Sequence, residues 1–229
     1  MGGRKDKKKK IAELNTFSNV LQCFDFKHPV LYDCKNKAID TKGRWSEVFG
    51  NDCPVVVELA CGKGEYTLAL AQKFPNKNFV GVDIKGSRMH TGAKHCIELG
   101  IVNVRFARFK IENIPYFFGE REIEQIWITF PDPFPKGRHE KHRLTHPKFL
   151  EKYRPLMAAN GIVHLKTDDE QLFSYSVESI EKVGAKLLYC KEDIYSEPLD
   201  FPELEIKTFY ERQHLATGRK IHFLRFCFE

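Results

Sequence analysis

The chain has 229 residues, 42% of them hydrophobic and 30% charged, with a formal net charge of +6. That composition supplies a real core and is too apolar for a disordered chain, and no apolar run approaches the roughly 18 residues that cross a bilayer. The basic N-terminus lacks the hydrophobic stretch of a secretion signal, and the seven cysteines are scattered without Cys-x-x-Cys spacing, which points to reduced thiols in a cytoplasmic protein and to no metal site.

In chain order, the first ten residues set Arg4, Lys5 and Lys7, Lys8, Lys9 and Lys10 against Asp6 alone. Ile11, Leu14, Phe17 and Leu21 then recur at a loose helical spacing, which predicts a helix over residues 11–23, followed by an irregular lead-in over 28–54. From residue 55 strand and helix alternate: strand 55–59, helix 65–74, strand 79–82, helix 87–99, strand 104–107, strand 125–130, helix 147–159, strand 162–165, helix 170–183 and strand 185–189. The final apolar run, 221–228, predicts a strand that joins an edge region antiparallel. The expected architecture is α/β: a doubly wound, mostly parallel sheet with an antiparallel edge strand and helices on both faces. Residues 1–54 form a basic tail and lead-in, and 55–229 form the main domain.

Two local patterns carry chemistry. Strand 55–59 runs into Glu58-Leu59-Ala60-Cys61-Gly62-Lys63-Gly64-Glu65, a glycine-bearing turn that opens a helix, the position where a nucleotide-like ligand meets backbone N–H groups. Gly62 and Gly64 are present, but Thr67 stands where a dinucleotide fingerprint wants its third glycine, which disfavours a nicotinamide-dependent oxidoreductase. Asp83 ends the next strand, where a carboxylate accepts ribose hydroxyls. Glu58 is placed either to accept from a cofactor ammonium group or to orient the loop.

The second pattern is Phe130-Pro131-Asp132-Pro133-Phe134-Pro135-Lys136. Its three prolines forbid helix and central strand alike, so the segment holds a carboxylate and an aromatic ring stiffly beyond the sheet's carboxyl edge. A basic run follows: Lys136, Arg138, Lys141, Arg143, Lys148, Lys152 and Arg154 against Glu140 and Glu151, interleaved with His139, His142 and His146. With the lysine tail, this suggests a polyanion docking at two places.

Taken in order, Glu58-Leu59-Ala60-Cys61-Gly62-Lys63-Gly64, then Pro131 through Leu144, then Lys166-Thr167-Asp168 and Thr208-Phe209-Tyr210-Glu211, the chain resembles the bacterial tRNA (guanine-N7)-methyltransferase family from about residue 55 to the C-terminus. The resemblance implies a class I S-adenosylmethionine-dependent methyltransferase fold, S-adenosylmethionine as methyl donor, and methylation of guanine 46 in the tRNA variable loop by a cytoplasmic monomer or homodimer. It places Glu58, Gly62, Gly64, Asp83 and Asp132 at the cofactor, Asp132 also at the catalytic position, and Lys136, Asp168, Thr208 and Glu211 at the target nucleotide. Three residues depart from the family pattern: Ala60 replaces a glycine, Phe134 a tryptophan, and Lys110 an acid or amide near the adenine, where Glu112 or a backbone group is the substitute.

Guanine N7 already carries a free lone pair, so no general base is required and Asp132 is expected to act by position and charge. The guanine N1–H and 2-amino donors suit a carboxylate such as Asp168 or Glu211. Arg138, Lys141 and Arg143 are expected to grip tRNA phosphates. Two alternatives stand: methylation of an exocyclic amino group of a nucleic acid, and a non-catalytic RNA-binding scaffold.

Overall fold

The computed structural model describes residues 3–229, with side chains from residue 6 onward. In chain order the elements are α1 (Gly3–Leu14), β1 (Val20–Cys23), β2 (Leu31–Tyr32), β3 (Ala38–Ile39), α2 (Trp45–Phe49), β4 (Val55–Leu59), α3 (Glu65–Lys73), β5 (Asn78–Asp83), α4 (Gly86–Glu98), β6 (Val104–Arg108), β7 (Ile123–Thr129), α5 (Pro147–Tyr153), β8 (Met157–Thr167), α6 (Glu170–Lys182), β9 (Lys186–Lys191), α7 (Phe209–Ala216) and β10 (His222–Cys227).

All ten strands form one sheet in the order β3-β2-β1-β6-β5-β4-β7-β8-β10-β9. Every residue of β4 and β5 is buried, as expected of central strands covered on both faces. Alternation assigns their side chains: Val55, Val57 and Leu59 of β4 join one apolar cluster with Ile126 and Ile128 of β7, while Val56 joins a second cluster with Trp127. The sheet therefore separates two cores. From β4 the chain winds outward through β5 and β6, then returns to place β7 on the other side of β4. That reversal opens a crevice beyond the carboxyl ends of β4 and β7, the point at which doubly wound sheets take ligands.

The lead-in is more ordered than its sequence suggests. β1 pairs parallel to β6 and carries β2 and β3 as antiparallel additions, so residues before β4 extend the same sheet. The helix predicted over 11–23 instead ends at Leu14. Its basic N-terminal part is helical from Gly3, with Lys7, Lys8, Lys9 and Lys10 exposed, and residues 1 and 2 of the tail lie outside the described residues. Glu13 holds α1 on α4 by accepting from His90 Nε2 at 2.8 Å and Lys94 Nζ at 3.4 Å.

One further expectation is corrected. The helix predicted over 147–159 stops at Tyr153, because Pro155 donates no N–H, and β8 starts at Met157. The C-terminal strand, β10, joins the edge region antiparallel, as expected: it pairs with β8 and with β9, and β9 is the outermost strand on that side.

Candidate active site

A cleft of about 250 Å³ lies over the carboxyl ends of β5, β6 and β7, walled by Asp83, Ile84, Phe109, Lys110, Ile111, Glu112, Pro131, Asp132, Phe134 and His142. A smaller hollow of about 90 Å³ adjoins it, lined by Glu58, Cys61, Gly62, Lys63, Glu65, Tyr66, Thr129, Thr208 and Tyr210. Ala60, Arg88 and Phe130 line both, so the two are neighbouring ends of one groove.

The floor is built by tight backbone approach. Gly64 (φ +71°) caps α3, and a Cβ there would lie 2.5 Å from the Phe106 ring; one at Gly92 on α4 would lie 2.4 Å from the Lys63 carbonyl oxygen. These glycines let the loop, α4 and β6 close under the ligand. Asp83 fixes the loop from the side: its Oδ2 accepts from Gly62 N at 2.9 Å and its Oδ1 from Lys85 N at 2.7 Å. Each oxygen keeps lone-pair capacity toward the cleft.

Glu58 is buried, with Oε2 accepting from the Thr67 backbone N–H at 2.9 Å and from the Thr67 hydroxyl, and Oε1 accepting from the Thr129 hydroxyl at 2.6 Å. Its carboxyl ties together β4, α3 and β7, which is the loop-orienting role of the two the sequence left open. Burial outweighs these donors and pushes its pKa up to about 7.

Asp132 is exposed on the cleft wall, carried by a segment in which Phe130 (φ +47°) and Phe134 (φ +44°) both occupy the left-handed region. For bulky L-residues this costs on the order of 1–3 kcal/mol each, strain that surrounding contacts must offset. Phe130 N donates to the Lys166 carbonyl at 2.8 Å, which anchors the entry to the segment on β8.

The groove thus gathers Glu58, Gly62, Asp83, Asp132 and Thr208, with Gly64 in its loop, and Lys110 and Glu112 both reach its wall. Other expected residues lie elsewhere. Asp168 lines a separate cavity beside α6, where its Oδ2 accepts from Arg219 Nη1 at 2.6 Å and lies 3.3 Å from His214 Nδ1. Glu211 is fully buried and cannot offer its carboxylate to a base edge: it lies 2.6 Å from Lys166 Nζ, accepts from the Tyr195 hydroxyl at 2.6 Å and closes a capping box with Thr208. Arg143 is 3% exposed and is no surface phosphate ligand; it donates to the Pro133 and Phe134 carbonyls at 2.9 and 3.2 Å. Both corrections have one cause: a charged motif residue expected at the nucleic acid has buried partners within the fold. Lys136, Arg138 and Lys141 are exposed.

Tyr210, within the Thr208–Glu211 motif, lines the groove, and so does Arg88, which the sequence motifs do not include. Arg88 stands on the first turn of α4, directly after the Asp83 strand end, and side chains at a helix start lean back toward that end. That position was the available signal.

The groove suits S-adenosylmethionine. Asp83, an acid with free acceptor capacity, would suit ribose hydroxyls, Ile84, Phe109 and Ile111 supply apolar surface that would suit a purine, and the Asp132 carboxylate on the same wall would suit a cationic sulfonium.

A family model described as "Putative methyltransferase" matches residues 52–224. Proteins named tRNA (guanine-N(7)-)-methyltransferase are 44% identical in Christiangramia forsetii, covering 98% of each chain, 43% identical in Bacteroides fragilis, covering 97% of this chain and 85% of that one, and 38% identical in Geobacillus sp., covering 79% and 81%. Among solved structures, the 16S rRNA methyltransferase KamB has a TM-score of 0.62 at 13% identity, covering 82% of this chain and 94% of its own. Geranyl diphosphate methyltransferase in complex with S-adenosylmethionine has a TM-score of 0.52 at 13% identity, covering 76% and 78%. The structural likeness shows the fold, a class I S-adenosylmethionine-dependent methyltransferase; the sequence likeness over nearly the whole length is the narrower finding, and by it the chain belongs to the tRNA (guanine-N(7)-)-methyltransferase family.

Proposed function

We propose that this chain methylates tRNA on N7 of guanine 46 in the variable loop, with Asp132 as the catalytic-site carboxylate. The observation that carries the reading is Asp132 itself: an exposed carboxylate held on a strained, proline-stiffened segment at the wall of a groove whose floor is a glycine loop braced by Asp83.

Bound S-adenosylmethionine supplies a methyl group on a sulfonium leaving group. The chain's own work is alignment and charge. Glu58 and Asp83 hold the loop; Asp132 favours the positive charge that develops on the guanine ring as N7 gains its fourth bond. No side chain has to remove a proton. Thr208 and Tyr210 line the far end of the groove and are placed to contact the base. Lys136, Arg138 and Lys141 are the exposed cations beside the Asp132 segment and fit phosphates of folded RNA.

Unmodified tRNA incubated with the protein and methyl donor, digested to nucleosides and mapped by mass spectrometry, is expected to yield N7-methylguanosine at one position. N6-methyladenosine or N2-methylguanosine in its place assigns the chain to exocyclic-amino chemistry, and no methylated product with intact RNA binding assigns it to a scaffold role.

A further inference from the structure

We propose that Arg143 is a positioning residue that acts through the Asp132 segment. The inference rests on the reading of Asp132 given above. Pro131, Pro133 and Pro135 have no backbone N–H, so the segment offers a holding partner mainly carbonyl oxygens. A donor-only side chain is the complement to such a strand, and guanidinium presents five N–H groups in a rigid fork.

The geometry follows that logic. Arg143 Nε donates to the Pro133 carbonyl at 2.9 Å and Nη2 to the Phe134 carbonyl at 3.2 Å, the carbonyls of the two residues that follow Asp132. Its guanidinium carbon lies 4.3 Å from the ring centroid of Tyr175 on α6, and Nη1 lies 4.0 Å from Glu140 Oε1. One buried side chain thus joins the Asp132 segment to a rigid helix. It also offsets the left-handed backbone of Phe134 (φ +44°), a conformation that persists only when its surroundings hold it. The fork is specific: lysine keeps the charge but cannot reach both carbonyls in one plane.

The test compares wild type with Arg143→Lys and Tyr175→Leu. If Arg143 positions Asp132, Arg143→Lys lowers kcat by about 10- to 100-fold, the scale of a misplaced reacting group, while KM for tRNA moves less than about threefold and the salt dependence of tRNA binding keeps its slope. Tyr175→Leu, which keeps the guanidinium and removes its stacking partner, shows a smaller kcat loss of the same kind. Normal kcat in Arg143→Lys, with a salt slope reduced by about one in Arg143→Gln, which removes the charge, overturns the proposal and makes Arg143 a phosphate ligand. Amide hydrogen exchange in the free protein gives a readout without activity. Residues 134–141 exchange at least about tenfold faster in Arg143→Lys with the sheet unchanged, and unaltered exchange there rejects the clamp. A wild-type protein that makes no N7-methylguanosine refutes the functional reading, and the exchange measurement still decides the role of Arg143.

Discussion

Lys166 Nζ on β8 lies 2.6 Å from Glu211 Oε1 on α7, and neither side chain reaches solvent. The pair is further satisfied by the Ile206 carbonyl, which accepts from Lys166 at 3.1 Å, and by the Tyr195 hydroxyl. It fastens the start of α7, with Thr208 and Tyr210, to the sheet beside the groove. A buried ion pair is costly to break from one side, because the survivor is left charged in an apolar setting. Glu211→Gln or Lys166→Met alone is therefore expected to cost about 3–5 kcal/mol in denaturant unfolding, and the Lys166→Met/Glu211→Leu double variant to recover more than half of that. A double variant whose loss is the sum of the single ones shows that the two groups are not coupled.

Glu58 gives the protein a pH dependence near neutrality. Its folded pKa, about 7, lies above the usual carboxylate value of 4.5 because burial disfavours the charge. The folded state therefore binds more protons than the unfolded one between those values. The stabilisation is complete below the unfolded pKa and is lost as pH rises through 7, amounting to on the order of 3 kcal/mol across the window. The melting temperature of the cofactor-free protein is expected to fall between about pH 4.5 and 7.5, and Glu58→Gln to flatten that decline. An equally steep decline in Glu58→Gln would place its origin elsewhere.

Ala60 occupies the left-handed region at φ +58°. An L-residue there costs roughly 1–2 kcal/mol, partly offset by alanine's smaller loss of backbone entropy on folding. Ala60→Gly is expected to stabilise the protein by about 0.5–1 kcal/mol, a rise of about 1–4 °C in melting temperature at this chain length, with calorimetric S-adenosylmethionine affinity unchanged or tighter. A lower melting temperature means that the alanine methyl makes contacts worth more than the strain.

Asp132→Ala separates binding from reaction. The loop, Asp83 and the apolar wall remain, so S-adenosylmethionine affinity should fall by less than about tenfold, while methylation falls on the order of 10²- to 10³-fold, the range for loss of one preorganised charge-stabilising group. Retained turnover removes Asp132 from its assigned role.

The parts legible in the sequence are those where local chemistry decides structure. Buried valine runs, Gly62 and Gly64, and the three prolines around Asp132 fix backbone behaviour whatever surrounds them. Arg143 and Glu211 were misread because burial of a charge depends on partners distant in sequence: the Tyr175 ring and Lys166. β1, only four residues long, becomes a strand because the free edge of β6 pairs with it, and nothing in Val20-Leu21-Gln22-Cys23 alone announces that. Pro155 is a local helix stop that the sequence itself shows, and the helix ends at Tyr153.

The burial of Arg143 also sharpens the expected footprint of RNA. Of the cations that follow Asp132, Lys136, Arg138 and Lys141 face solvent, whereas Arg143 has its donors committed to the chain. Each phosphate neutralised releases condensed counterions and adds about 0.7–0.9 to the slope of log K against log salt. Replacing Lys136, Arg138 and Lys141 together with glutamine is expected to reduce that slope for tRNA by about 2–3, with S-adenosylmethionine affinity unchanged, while Arg143→Gln leaves the slope as it is. A triple variant with the wild-type slope would move the RNA footprint away from this segment, with the exposed Lys7, Lys8, Lys9 and Lys10 of α1 the next surface to replace.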